Sequence, residues 1–303
     1  MRICSLLPSA TEIAFALGLG DSVVGVSHEC DFPPEARRIP RVVTSKVNPH
    51  GSTSKEIDNQ VVETVGSNQS IYDIDLSLFQ QANPDIILTQ GLCDVCALDY
   101  DRVVAAAKTL ARPPRIVSLN PTTLSDVLED IAQVGRDTGR VKEAKRFVAL
   151  LSERIEKIAE GTRSSDVRPK VACIEWLDPI YTAGHWVPQM VSIAGGEDGL
   201  AEAGQPSRKV SWDAVLEYGP DFLILMPCGF TIERTLEESD MLRLLHGWAD
   251  LPAVRHHRVF AVNGHAYFNR SGPRLVDGLE VLAQIIHPEL FPWSAVPDAA
   301  QRL

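Results

Sequence analysis

Between Thr122 and Gly161 apolar residues recur at helical spacing: Val127, Ile131 and Val134, then Phe147, Leu150, Leu151, Ile155 and Ile158. No proline interrupts the chain between Pro121 and Pro169. Thr123 or Ser125 is placed to cap the start, and Gly139 permits a break between two helical pieces. The second piece, Arg140 to Ala159, would run for roughly 30 Å at 1.5 Å per residue, the width of a small domain. The pattern predicts a helical strut over 122–161, joining an N-terminal α/β lobe (1–121) to a C-terminal one (162–303).

On both sides of the strut, short runs rich in Val and Ile alternate with helical stretches. Before it the strand candidates are Ile3–Leu7, Val23–Ser27, Arg41–Thr44, Ile86–Gln90 and Ile116–Asn120; after it they are Lys170–Glu175, Phe222–Met226 and Val259–Val262. None alternates cleanly, as expected of strands buried on both faces. Ser9 with Glu12 reads as a capping box opening the first helix. The fold class expected is α/β, two Rossmann-like lobes with mostly parallel sheets. NPDIIL at Asn83–Leu88 and GPDFLIL at Gly219–Leu225 echo each other: each ends a helix with a Pro-Asp turn before a buried strand.

In parallel sheets ligands sit beyond the carboxyl ends of the strands. The exits to inspect carry Pro8 to Thr11, His28 to Asp31 and Gly91 to Cys96, then Trp176 to Trp186, Pro227 to Phe230 and Asn263 to Arg270. A ligand between the lobes would meet these segments.

At 303 residues the chain has room for two domains, and its 45% hydrophobic and 23% charged residues are ordinary for a globular protein. A net charge of −11 excludes a nucleic-acid surface. No apolar run reaches the ~20 residues of a membrane span. Pro8 and Glu12 interrupt the apolar N-terminus, which reads as strand, turn and helix in place of an export signal. On that reading the chain is cytoplasmic, and its six cysteines are reduced. An export signal missed by this reading would place it in the periplasm or at the cell surface. GxSxG, Walker and HExxH motifs are absent, and the glycines at 18, 20 and 25 miss the dinucleotide spacing. No catalytic residues are expected, and the chain is not read as an enzyme.

The chain resembles the periplasmic-binding-protein family that serves vitamin B12, iron-siderophore and haem transporters, most of all its cobalamin-binding branch. The residues carrying the likeness are RICSLLPSATEIAFALGLGDSVVGVSHECDFPPEA at Arg2–Ala36, NPDIILTQ at Asn83–Gln90, and TAG at Thr182–Gly184. VSWDAVLEYGPDFLIL at Val210–Leu225 and the closing RSGPRLVDGLEVLAQIIHP continue it. The resemblance implies a helical-backbone (class III) substrate-binding fold: a monomer that holds cobalamin in the cleft between the lobes and docks on an ABC permease. The other solutes of the family, an iron-siderophore or haem, are the alternative. Family members present one acidic residue per lobe to the permease. Here the second-lobe position is Asp213, while the first-lobe position is Ser77, with Asp75 nearby.

For a corrinoid the candidate ligand residues are Pro8, Ser9, His28, Glu29, Gln90, Trp176, His185, Trp186, Tyr267, Phe268 and Arg270. Aromatic walls give a flat macrocycle large apolar contact, although the same residues would equally seal the lobes together. His28 and His185 are candidate cobalt ligands or ordinary loop histidines. Arg270 or Arg274 is placed to bind a phosphate or propionate. Cys93 and Cys96 form a CxxC, which with Cys30 and His28 has the composition of a metal site; packing is the competing reading, and a metal- or redox-active protein the corresponding alternative function. Cys4 and Cys173, inside strands, are core.

Overall fold

The computed structural model describes residues 1–47, 49, 51–67, 69–91, 100–163, 165, 167–292 and 299–303. The chain forms two compact α/β units. The first comprises 1–52, 56–121 and 125–149; the second comprises 53–55, 122–124 and 150–303.

The first unit is built on strands β1 (Ile3–Ser5), β2 (Val23–Ser27), β3 (Arg41–Ser45), β4 (Tyr72–Ile74), β5 (Ile86–Thr89) and β6 (Arg115–Ser118), in the order β4-β3-β2-β1-β5-β6. All neighbours are parallel except β3 and β4. β1 and β5, each paired on both sides, are buried along their whole length. Packed against the sheet are Phe79, Val103 and Ala106, beside Ile87 and Val42. Gly25 lies where a Cβ would come within 2.8 Å of Cys4 Sγ, so β1 and β2 pack through a missing side chain.

The second unit uses β7 (Val171–Trp176), β8 (Tyr181–Thr182), β9 (Arg208–Lys209), β10 (Phe222–Leu225), β11 (Val259–Val262) and β12 (Ala300–Arg302), in the order β12-β11-β10-β7-β8-β9. β7, β10 and β11 run parallel; β8, β9 and β12 are antiparallel to their neighbours. Its core gathers Ile174, Trp212, Val215, Leu223, Leu225 and Leu242. Helix Leu275–Ile286 is buried almost all round, as its near-continuous apolar sequence requires.

Helices Leu124–Asp137 and Val141–Arg163 occupy the stretch of helical periodicity, with the break at Gly139, whose φ of 72° is left-handed. A Cβ on Gly135 would lie 2.4 Å from Ala144 Cβ, so glycine there lets the two helices fold against each other. At about 1.5 Å per residue the second helix is about 34 Å long. Within it the chain passes from the first unit to the second, between Ala149 and Leu150.

Two expectations are corrected. The first helix begins at Pro8 with Leu7 as its cap residue and no side-chain cap; Ser9 and Glu12 lie inside it, both buried, so there is no capping box. The four short antiparallel strands β4, β8, β9 and β12 are not foreseen by periodicity, because two or three residues carry no period.

Candidate functional site

Each unit has its own carboxyl edge. In the first, β1 ends at Ser5 and the helix Pro8–Ala16 starts three residues later, which puts half-buried Pro8 and buried Ser9 at the strand exit. Thr11 Oγ1 lies 2.8 Å from Ser5 Oγ and 3.1 Å from Cys30 Sγ, and Ser27 Oγ is 3.1 Å from the same sulfur. Arg41 Nη1 donates to the carbonyls of Ser27 and Cys30 at 2.7 and 2.5 Å. The exits of β1 and β2 are thereby sewn together by short polar side chains.

Beside this seam stands His28. Its ring is 5.6 Å from that of Tyr72, and Nε2 is 3.4 Å from Glu29 Oε1. Nδ1 is buried and meets no hydrogen-bond partner among the described residues. Burial holds the imidazole below its ordinary pKa; Glu29 opposes this and Arg41 reinforces it. His28 is therefore neutral at neutral pH, the form that coordinates metals. Gln90 is half-buried after β5, and Gly91 N donates to Asn120 Oδ1 at 2.7 Å.

Cys30 does not face a rim. It is wholly buried, its sulfur engaged by the Thr11 and Ser27 hydroxyls. Cys93 and Cys96 lie outside the described residues, among which no cluster of three His, Cys, Asp or Glu side chains has metal-binding geometry. Burial drives the Cys4 thiol up to about 12 and that of Cys173 well above its usual value, as befits core thiols.

The second unit's edge is aromatic and cationic. Trp176, the last residue of β7, is half-buried; its indole N–H donates to Ser54 O at 3.2 Å and its ring lies 5.3 Å from Phe230. The Arg234 guanidinium sits 4.5 Å over the other aromatic partner, Phe230, and is ion-paired to Glu238. Glu238 also accepts from Ser54 N at 3.0 Å and Ser54 Oγ at 2.6 Å. Beyond β11, half-buried Tyr267 carries Arg274 at 5.7 Å from its ring centre, and buried Arg270 donates to His265 Nε2 at 2.5 Å.

Two expected ligand residues are buried. Phe268 is 1% exposed. Trp186 is 8% exposed and donates its indole N–H to Phe268 O at 2.8 Å. Both stand at strand exits, but a strand exit includes the residues that seal the first turn of the next helix. His185, half-exposed with φ 52°, lies 5.5 Å from Trp186, and burial lowers its pKa. Phe230, Arg234 and His265 were not singled out from sequence. The available signal was Phe230 and Arg234 at i and i+4, opening a helix directly after a strand exit.

Asp213 is exposed in the first turn of helix Trp212–Tyr218, with its carboxylate 2.8 Å from His246 Nε2. Ser77 holds the same place in helix Leu76–Ala82. Asp75 caps that helix, accepting from Leu78 N at 2.9 Å.

Two α/β units with mixed sheets carry polar, aromatic and cationic side chains at their carboxyl edges, an arrangement suited to binding a solute. The chain belongs to the periplasmic binding protein family, whose model matches residues 3–265. The ABC transporter substrate-binding lipoprotein YvrC of Bacillus subtilis is 28% identical over 301 residues, covering 96% of this chain and 81% of that protein. The vitamin B12-binding protein of Vibrio cholerae is 26% identical over 283 residues, covering 92% and 86%. The solved periplasmic haem-binding protein RhuT of Roseiflexus superposes with a TM-score of 0.70 at 22% identity, over 95% of this chain and 98% of that one.

The expectation of a cytoplasmic protein is overturned: the family is that of the periplasmic binding proteins, and the Bacillus relative is named a lipoprotein. The physical reason is plain in the fold. Ile3–Ser5 is a buried strand inside the sheet, so the apolar character of these residues reports their place in the fold and not the compartment.

Proposed function

We propose that this chain is the substrate-binding component of an ABC uptake system, working outside the cytoplasmic membrane, and that its solute is a corrinoid. The observation that carries this reading is the relation, across 92% of the chain, to a vitamin B12-binding protein. The chemistry of the edges supports it. Trp176, backed by buried Phe230, and Tyr267 offer the apolar faces a flat macrocycle needs, and aromatic side chains lose little entropy on binding. His28 and His185, held neutral by burial, offer imidazole nitrogens to a cobalt. Pro8, Ser9, Glu29 and Gln90 line the exits of the first unit and suit amide side chains.

One observation favours haem as the second reading. Arg234 follows the exit of β10 and Arg270 and Arg274 that of β11, and guanidinium groups pair with carboxylates. Haem carries two propionates; a corrinoid carries mostly amides and one phosphate. The test is to incubate the purified protein with cyanocobalamin and, separately, with haemin, then to desalt and record absorbance. Retention of a stoichiometric cobalamin spectrum is expected. A Soret band with no retained cobalamin would replace the corrinoid by haem.

A further inference from the structure

In the second unit a loop over 199–207 rests on one acidic residue. Glu197 is tied to the sheet: Val171 N donates to its carbonyl at 2.8 Å, and its own N–H donates to Pro169 O at 2.9 Å. Asp198 comes next. Its Oδ1 accepts from Leu200 N at 3.0 Å and Ala201 N at 3.2 Å. Its Oδ2 is buried and meets no donor among the described residues. The Tyr218 hydroxyl braces the entry, donating to Glu197 O at 2.6 Å and accepting from Gly199 N at 2.9 Å. Arg208 closes the exit, donating Nε and Nη2 to Leu200 O at 2.9 and 2.8 Å.

The far side of the loop grips the carboxyl edge. Gln205 O accepts from His185 N at 2.6 Å, and Gly204 N donates to His185 O at 2.8 Å. Ser207 Oγ donates to Glu175 Oε1 at 2.7 Å. A Cβ on Gly184 would fall 2.3 Å from Ser207 N, so the loop is seated directly on backbone. An open hollow of about 400 Å³, lined by Gly199, Ala201, Glu202, Gln205, Pro206 and Arg208, leaves the loop without packing on one side. Leu200, buried in the core of the unit, anchors the start of the loop, and the remainder, 201–207, is held by hydrogen bonds at Arg208, at His185 and at Glu175.

We propose that residues 199–207 form a pH-sensitive latch: the loop is seated over Asp198 while that carboxyl is protonated, pinning His185 and Glu175, and ionisation of Asp198 releases it. A buried carboxylate with one oxygen unpartnered is poorly solvated as an anion. Burial accordingly raises the Asp198 pKa to about 7, with the two backbone N–H groups and Arg208 opposing. The other groups facing it are Tyr218 and Cys173, both pushed upward and neutral throughout the range. Glu197, before the loop, and Glu202, within it, are exposed, and Glu175 lies toward Cys173.

With the loop released, Asp198 meets water and ionises near the ordinary value of about 3.9. The seated form therefore binds the proton more tightly, and its advantage is complete below about pH 4. It is lost as pH rises to about 7, with the opening equilibrium growing about tenfold per pH unit, and is level above.

The latch is tested without ligand, so its failure is separate from failure of the corrinoid reading. Amide exchange of Gly204 and His185, corrected for intrinsic rates, is measured at pH 5, 6, 7 and 8 in the full chain and in Asp198→Asn. Opening is expected to rise about tenfold per unit from pH 5 to near 7 and then level, while the variant stays flat. A direct ¹³C titration of the Asp198 carboxyl in the unaltered protein needs no variant, and its midpoint is expected near neutrality. A midpoint near 4, or an unaltered protein with flat protection, or a variant that keeps the slope, would overturn the proposal.

Discussion

The two units share one module and differ in what surrounds it. In the first, helix Leu76–Ala82 ends at Asn83 in the left-handed conformation, Pro84 follows, and Asp85 Oδ2 accepts from Arg2 N at 2.8 Å as β5 begins beside β1. In the second, helix Trp212–Tyr218 ends at left-handed Gly219, Pro220 follows, and Asp221 Oδ2 accepts from Lys170 N at 2.9 Å as β10 begins beside β7. Even the backbone bonds agree. Asp85 and Ile86 both donate to Arg2 O, and Asp221 and Phe222 both donate to Lys170 O. The Pro-Asp turn thus aligns a strand's first residue with that of its neighbour, which fixes parallel register without a side-chain pattern.

Outside that module the units diverge at the strand paired to the other side of β1 and β7. After β1 a helix leads to β2, a parallel strand of five residues; after β7 a short turn leads back to β8, an antiparallel strand of two. The βα crossover leaves small helix-start residues at the strand exit, Pro8 and Ser9. A tight return leaves aromatics, as at Trp176 and Tyr181. The same sheet centre therefore carries two chemically different edges, and the connection type is what sets the difference.

The largest effect expected separates edge from core among the tryptophans. Trp186→Ala removes a ring that is 8% exposed and should cost about 3–5 kcal/mol of unfolding free energy. Trp176→Ala removes a half-buried ring at the edge and should cost much less stability while weakening corrinoid binding about tenfold or more, about 1.4 kcal/mol. Chemical denaturation and ligand titration on both variants give the pair of numbers. Equal stability losses with unchanged affinity would return Trp176 to the core.

A second contrast is electrostatic. The first unit also carries a buried acid, Asp130, whose carboxyl is raised to about 7 by burial first and then by Asp126 and Glu129. Here the folded form holds the proton more tightly. The resulting advantage is full below about pH 4, is lost as pH rises to about 7, and leaves a constant cost of buried charge above that. Asp130→Asn should then be more stable than the unaltered chain at pH 8, by on the order of 2 kcal/mol, with little difference at pH 4. Melting curves at the two pH values decide it; a variant equally or less stable at pH 8 would show the carboxylate to be well solvated.

The Pro-Asp turns predict smaller effects. Asp85→Ala and Asp221→Ala each delete a charge-assisted bond to a backbone N–H, worth about 1–2 kcal/mol, with the less exposed Asp221 costing more. Identical melting of both variants and the unaltered chain would mean that the turn alone sets the register.

How far the sequence speaks follows from these cases. The Pro-Asp echo, the central strands and the glycine-punctuated helix pair were legible because each is local: a turn dipeptide, an apolar run, a 3.6-residue period. Val23–Ser27 and Val259–Val262 match their expected bounds. The short antiparallel strands were not legible, since β8 and β12 exist only because a longer neighbour presents open backbone groups. At the edges, sequence placed residues at strand exits but gave no direction to their side chains. Trp176 and Trp186 look alike on paper, and only packing tells that one indole N–H meets Ser54 O at an edge and the other Phe268 O in the core.

The smallest stability effect concerns a position in the first helical turn where the shared module differs in charge. Asp213 and Ser77 both sit in the first turn of their helix, and an acid there interacts favourably with the helix dipole, worth about 0.3–1 kcal/mol. Ser77→Asp should therefore stabilise slightly. Asp213→Ser also forfeits the His246 contact, but that pair is exposed on both sides, and exposed pairs are worth about 0–1 kcal/mol. Little holds Asp213 in place for the fold's sake. A carboxylate kept on the surface for so little stability suits a partner with basic groups, which in the proposed uptake system is the permease. Binding to membranes carrying such a permease should weaken in Asp213→Ser and strengthen in Ser77→Asp, with both melting temperatures nearly unmoved. If Asp213→Ser binds as well as the unaltered chain, docking does not use this acid. If its melting temperature falls by many degrees, the residue is held for stability after all.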